Sequence, residues 1–386
     1  MTRQSRTALQ MKILCFIDSL GSGGAQRQLT TLAVALKKRG HDLRFLVYHP
    51  EDHFRPWLDV AGIECQTIAP LGYFRRMFEV RRVFAQKQPD VVLAFLEGPA
   101  FYAEIAALPR RKFGLVVGER LAEPALTRGK NYWLRHFHAL ADAVITNSYT
   151  NQLQLEHAFP GLRKKLATIY NAVDMERFHP PAVNDHAGTQ GEPVRVVVAA
   201  SYQAKKNMEN VAQALLLLRN GKASCSVVVD WYGGPANDAN PLEKAQHFVA
   251  EHDLSGCLRF HPAKRDIEVE FASAAAVGLF SFYEGLPNVV CEGMACQKPI
   301  LMSDVCDAGS LVVDGENGFL CDPASPPSIA EAFRKLISAP QAQLRSMGLA
   351  SRRKAEVLFA EATIVRCYEQ VLEAAALHLP PPSNST

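Results

Sequence analysis

Two carboxylates, Glu284 and Glu292, stand eight residues apart in the stretch FSFYEGLPNVVCEGMACQKP, residues 280–299. A carboxylate can accept hydrogen bonds from the paired hydroxyls of a ribose or a hexose. Between the two lies a turn, Gly285-Leu286-Pro287-Asn288, and then an apolar run that closes at Pro299. Pro287 suits the first turn of a helix, where its missing N–H is no loss, so residues 288–297 are expected to be helical. The unpaired amides at the start of that helix, with the positive end of its dipole, form a ready site for phosphate. Glu292 falls one turn inside, on the side shared with Asn288 and Ala295, while Val289, Val290 and Met294 can face a sheet. The set suits a nucleotide sugar. Glu284 would sit near the sugar, the amides of Gly285, Leu286, Pro287, Asn288 and Val289 would frame the pyrophosphate apart from the proline, and Glu292 would take the ribose.

These groups need a scaffold that brings loops together. The apolar run 274–282 has the length of a fully buried strand, which puts Glu284 at a strand's carboxyl end. Upstream, strands are expected at 194–200, 226–232 and 257–260, with helices at 208–219 and 241–252. Such alternation makes a parallel sheet whose ligands bind beyond the carboxyl ends of its strands. The first of these strands leads into Ser201-Tyr-Gln-Ala-Lys205-Lys206-Asn207. A lysine at a helix entrance neutralises a pyrophosphate as leaving-group charge develops, so Lys206 joins Glu284 as a catalytic candidate, with Ser201 and Lys205 beside it.

The first half repeats the alternation. A strand at 11–17 runs into a loop holding Gly21, Gly23 and Gly24, then a helix to about residue 39 and a strand at 42–48. An NAD-linked oxidoreductase is the rival reading of such a loop. Its fingerprint wants glycine or alanine where Gln26 stands, although Glu51 and Asp52 imitate its acidic residue. A buried strand at 89–96 ends on Glu97, and another at 114–118 on Glu119-Arg120, which reads equally as a strand-end ion pair or a substrate contact. In 71–87, Phe74, Met77, Phe78, Val80 and Phe84 gather on one helical side, Arg75, Arg76 and Arg82 lie elsewhere, and Arg81 interrupts the apolar face. Either this is a helix with a solvated basic side, or it is a surface that meets anionic lipid or a lipid-phosphate acceptor.

With its E-x7-E spacing inside E-G-x-P and E-x-M-A-x-x-K-P patterns, the chain resembles the retaining glycosyltransferases of family 4. The loop GSGGAQR is similar to that family's G-G-A-E-R loop, with Gln26 where Glu is common. Residues 171–180 resemble its N-G-V-D-x-x-x-F-x-P segment, and residues 309–320 its later glycine-rich segment. The resemblance implies an α/β architecture of the GT-B kind, two Rossmann-like domains with parallel sheets facing across a cleft. It implies transfer from a nucleotide diphosphate sugar, UDP-sugar first, to a saccharide or polyprenyl-linked acceptor, with retention and without metal or other cofactor. Gly23, Gly24, Glu97, Glu119 and Arg120 would then be acceptor or cleft residues. Three positions depart from the pattern: Ser201 stands at a usual arginine, Glu97 where many relatives carry a histidine, and Gly118 at a serine.

Length and composition fit this picture. A chain of 386 residues with 48% hydrophobic content has room for two cores. The expected divisions are a loose extension at 1–10, a first domain at 11–180, a linker at 181–193, a second domain at 194–375 whose last helix crosses back, and a disordered tail at 376–386. With 42 basic against 39 acidic residues, nothing argues for nucleic acid. No apolar run reaches membrane-span length. Nine cysteines without CxxC pairs or zinc spacing read as free thiols in a reducing cytoplasm. His136 and His138 read as helix surface. A peripheral place at the cytoplasmic membrane face fits the basic helix. A non-catalytic subunit that binds a sugar nucleotide remains the other alternative.

Overall fold

A computed structural model describes residues 10–69, 72–120, 129–180, 193–219, 225–234 and 241–382. The expected extension at 1–10 and linker at 181–193 fall almost wholly outside this range. The chain divides into two compact units. The first takes the chain up to Ala172 and again from Glu361, and the second is Val173–Ala360.

The first unit opens with β1 (Lys12–Phe16), α1 (Gly24–Lys38), β2 (Asp42–Val47), α2 (Arg55–Val60) and β3 (Glu64–Thr67). It continues through α3 (Tyr73–Lys87), β4 (Val91–Phe95), α4 (Glu97–Ala106), β5 (Gly114–Glu119) and α5 (Gly129–Arg135). The last elements before the crossing are β6 (Ala143–Thr146), α6 (Tyr149–Ala158) and β7 (Leu166–Thr168). All seven strands are parallel, in the order β3-β2-β1-β4-β5-β6-β7. β4, VVLAF, and β6, AVIT, are buried throughout, because helices cover both faces of a parallel sheet and polar alternation is lost.

The second unit holds β8 (Val194–Ala199), α7 (Met208–Arg219), β9 (Val227–Gly233), α8 (Pro241–Glu251) and β10 (Leu258–Pro262). Next come α9 (Ile267–Ser273), β11 (Ala276–Leu279), α10 (Asn288–Ala295), β12 (Ile300–Ser303) and α11 (Ala308–Leu311). β13 (Gly318–Cys321), α12 (Pro326–Ser338) and α13 (Gln341–Phe359) complete it. Its parallel order is β10-β9-β8-β11-β12-β13. The final helix, α14 (Glu361–Ala376), belongs to the first unit and packs on β4, β5 and α1.

Several expectations are corrected. Residues 173–180 group with the second unit rather than the first: Val173 N donates to Phe359 O, and Arg352 donates to Phe178 O at 2.9 Å. The buried strand expected at 274–282 is shorter, and Pro287 precedes α10 as its cap instead of opening its first turn. Phe74 and Phe78 do not face the core. Val80, Val83 and Phe84 are buried with Met77 against that core, and positions 74 and 78 lie about a third of a turn or more from the centre of that stripe. Residues just past α14 are ordered by backbone bonds, Leu379 N to Ala374 O among them, while 383–386 lie outside the described residues. Cys225 and Cys257 are joined in a disulfide, not free, because the parallel pairing of β9 with β10 brings the residues just before each strand to a Cα separation of 5.5 Å.

Candidate active site

In the second sheet the strand order reverses between β8 and β11, which pair directly. Loops leaving neighbouring strands at such a point diverge to opposite faces and open a crevice at their carboxyl ends. The loop after β8 carries Ser201, Lys205 and Lys206, and the loop after β11 carries Glu284. The structure brings them together: Lys206 Nζ donates to Glu284 Oε1 in an ion pair whose side chains are only 15% and 12% exposed. Ser281, fully buried, donates its hydroxyl to the same carboxylate oxygen at 2.6 Å. Glu284 is thus fixed by two donors.

The two loops are laced at the backbone as well. Phe282 N donates to Lys205 O, and Asn207 Nδ2 donates to Phe280 O at 3.0 Å and to Pro323 O at 2.8 Å. Asn207 sits at φ 70°, a left-handed conformation that asparagine tolerates better than most residues. Lys205 places its ammonium 5.4 Å from the Tyr283 ring centre. Ser201 stands in the same loop, partly exposed.

From Glu284 the chain passes Gly285 and the buried Leu286 and Pro287 into α10. Asn288 and Val289, its first residues, are partly exposed, whereas Val290, Cys291 and Met294 are buried. α10 lies close on β11 because Gly293 lacks a side chain: a Cβ there would stand 2.8 Å from Val277 Cβ. Glu292 is 7% exposed, and Arg177, which is hydrogen-bonded to Glu268 at 2.9 Å, feels its charge. Behind the helix, Lys298 is fully buried and donates to Ala272 O and Ala274 O at 2.7 and 2.9 Å. Burial pushes its pKa down to about 8.

The first sheet reverses between β1 and β4. Two predicted groups flank that point. After β1, Gly23 caps α1 and Gly24 begins it; Gln26 donates to Asp18 Oδ1 at 2.9 Å and lies where a Cβ on Gly23 would meet it at 2.2 Å. After β4, Leu96 is held at φ 74° and ψ 155°, a region costing a leucine about 1–3 kcal/mol, and delivers Glu97 to the start of α4.

Glu97 is approached at 3.4 Å by Arg135, which is wholly buried. Arg135 also binds Glu119 at 3.0 Å, and His138 bridges Glu119 at 2.9 Å and Glu104 at 2.6 Å. His138 is therefore not helix surface but 2% exposed, which corrects its reading. Burial opposes its imidazolium, yet the bonds to Glu104 and Glu119 outweigh that and raise its pKa to about 10. Burial likewise pushes Glu119 up, but His138 and Arg135 hold it below the ordinary carboxylate value. Burial raises Glu104.

Glu119 and Arg120 are not the ion pair with each other that their adjacency suggested. Arg120 stacks 3.8 Å over the Phe95 ring and donates to Asn171 Oδ1 at 3.0 Å and to the Tyr368 hydroxyl. Its Nε has no hydrogen-bond partner among the described residues. Sequence reasoning missed Arg135, His138 and Glu104. Their partners come from three separate elements, and no local spacing announces them.

Residues 22–177 match the family described as Glycosyltransferase Family 4, and residues 184–354 the family described as Glycosyl transferases group 1. An uncharacterised glycosyltransferase of Haemophilus influenzae is 30% identical over 86% of this chain and 92% of its own length. The chain belongs to glycosyltransferase family 4. This glycosyltransferase also matches, at 24% identity over 84% of its length and 90% of the relative, the N-acetylgalactosamine-N,N'-diacetylbacillosaminyl-diphospho-undecaprenol 4-alpha-N-acetylgalactosaminyltransferase of Campylobacter jejuni. Its match to the D-inositol 3-phosphate glycosyltransferase of Streptomyces avermitilis, 27% identical, spans 56% of this chain and 49% of that protein. Among solved structures, Anabaena Alr3699/HepE in complex with UDP-glucose aligns with a TM-score of 0.82 at 19% identity, covering 95% of this chain and all of the other. The glycosyltransferase therefore has the α/β GT-B fold. Family membership sets aside the oxidoreductase reading.

Proposed function

We propose that this glycosyltransferase moves a sugar, with retention of anomeric configuration and without metal, from a UDP-sugar to a hydroxyl of a saccharide or lipid-linked saccharide in glycan assembly. The observation that carries the reading is the Lys206–Glu284 pair at the β8–β11 reversal, directly before the amino end of α10. On this reading the α10 amides and Lys206 hold the diphosphate and stabilise the charge that develops on it as the glycosidic bond breaks. Lys205 adds charge beside them, and Ser201 a hydroxyl. Glu284, already fixed by Ser281, orients the transferred sugar through its hydroxyls, and Glu292 takes the ribose.

The acceptor oxygen bonds to the anomeric carbon on the face the phosphate leaves. Its proton passes to the departing phosphate oxygen, so no protein nucleophile is required. In the first unit, Glu97 and the loop of Gly23 and Gly24 receive the acceptor. Strain at Leu96 supports that role, since such backbone persists only where the surroundings enforce it. Glu119, engaged by Arg135 and His138, acts behind Glu97, and Arg120 shapes the neighbouring surface.

Support for UDP comes from the solved Anabaena complexes with UDP and UDP-glucose. Support for a lipid-linked acceptor comes from the diphospho-undecaprenol named for the Campylobacter relative. Among the described residues no helix is long and apolar enough to cross a membrane. The test is incubation with a panel of UDP-, GDP- and ADP-sugars and short saccharide acceptors, following nucleotide release and the product anomer by NMR. UDP release with a retained anomer is expected. An inverted product, or use of GDP- or ADP-sugars alone, contradicts the reading.

A further inference from the structure

The first two turns of α3 show water three aromatic rings. Tyr73, Phe74 and Phe78 are 72%, 79% and 66% exposed, although α3 already buries Val80, Val83 and Phe84 in the core. At helical spacing, Phe74, Phe78, Arg81 and Arg82 share the outer side, with Arg75 at its margin. The helix carries Arg75, Arg76, Arg81, Arg82 and Lys87 against a single acid, Glu79, which Arg82 engages at 2.7 Å.

A second element has the same chemistry. Arg81 donates to Leu108 O, which sets α3 beside the turn 108–112, where Leu108, Pro109, Arg110 and Lys112 are exposed. A helix that only faced water would place polar residues, not phenylalanines, on that side. Rings beside cations, with no free acid on the helix, match the headgroup boundary of a negatively charged bilayer: apolar side chains reach the acyl edge and guanidinium groups stay among phosphates.

We propose that α3 and the turn 108–112 form a docking surface that lies flat on an anionic lipid bilayer. The proposal rests on the reading of a lipid-linked acceptor and says how that acceptor is met. The ring-bearing end of α3 follows the carboxyl end of β3, the same edge of the first sheet at which Glu97 and the Gly23 loop stand. Docking of that end brings lipid headgroups to the side that receives the acceptor, while the turn 108–112, which leads into β5, holds the other end of the helix at the opposite edge of the sheet.

The test is flotation of the full chain with vesicles of phosphatidylcholine alone and of equal parts phosphatidylcholine and phosphatidylglycerol. Binding to the mixed vesicles only, weakened by salt, is expected. Arg75→Gln should weaken it about fivefold, the factor corresponding to about 1 kcal/mol per cationic side chain at such a surface. Phe74→Ser with Phe78→Ser should abolish most of the remainder. Each variant is also scanned for unfolding with and without UDP, since an unchanged transition shows that a lost interaction belongs to the surface and not to the fold. No binding to mixed vesicles, equal binding to neutral ones, or binding indifferent to these substitutions overturns the proposal. Vesicle binding with no UDP response leaves the surface standing and sinks the donor reading instead.

Discussion

Lys206 and Glu284, separated by 78 residues of sequence, meet as an ion pair because β8 and β11 are neighbours at the point where the sheet order reverses. The pair joins the group suited to a diphosphate with the group suited to a sugar. Lys206→Met should therefore lower turnover by about 100- to 1000-fold, the usual consequence of removing one preorganised donor from developing charge. Steady-state kinetics at saturating donor decide it. Unchanged turnover would remove Lys206 from the chemistry.

Gly293 is a prediction about packing. Gly293→Ala puts a methyl 2.8 Å from Val277 Cβ. Overpacking of this kind costs about 1–3 kcal/mol and must push α10 off β11. Both a lower melting temperature and weaker UDP binding are expected. A variant with wild-type melting would mean the helix has room that the geometry denies.

The buried cluster around His138 makes stability depend on pH on the alkaline side. Its folded pKa, about 10, lies above the ordinary value of 6.5. The folded state thus holds a proton that the unfolded chain releases, so the contribution is complete below about 6.5 and is lost as pH rises through about 10. Urea unfolding across this window should show the decline. His138→Gln should flatten it and lower stability at neutral pH, since breaking a buried charged network typically costs about 3–5 kcal/mol.

On the acid side the corresponding group is Glu270. Burial pushes it up, but bonds from Lys264, Arg195 and Tyr232 outweigh that and bring it down to about 2. Its contribution is present above the ordinary value of 4.5 and is lost as pH falls toward 2. Glu270→Gln should reduce the acid sensitivity of unfolding in that interval. An identical acid profile would show that the Arg195 and Lys264 contacts, both 2.6 Å, do not couple to folding.

Much of this architecture can be read along the chain. Apolar runs such as VVLAF, the glycines before α1 and the proline before α10 act over a few residues, so the strands, helices and the loops holding Glu284, Lys206 and Gly23 follow from local pattern. Features set by distant partners do not. His138 looks like a surface histidine until Glu104 and Glu119 are placed on either side of it, and Glu119 and Arg120 look paired until Arg135 claims the first. Phe74 and Phe78 belong to a hydrophobic stripe by count, but the core takes only the narrower one through Val80 and Phe84. The Cys225–Cys257 bond needs strand order, which cysteine spacing alone does not supply.

The most direct test of the central claim, that the β11–α10 segment holds the donor nucleotide, is thermal unfolding of the wild type and of Glu292→Ala with UDP, GDP, ADP and NAD. Ligand at about a hundred times its dissociation constant adds about 2.7 kcal/mol, a readily visible shift. UDP alone should stabilise the wild type, and Glu292→Ala, folded as before, should lose most of the shift. Stabilisation by NAD in place of UDP, or a UDP shift that survives the substitution, would contradict that claim.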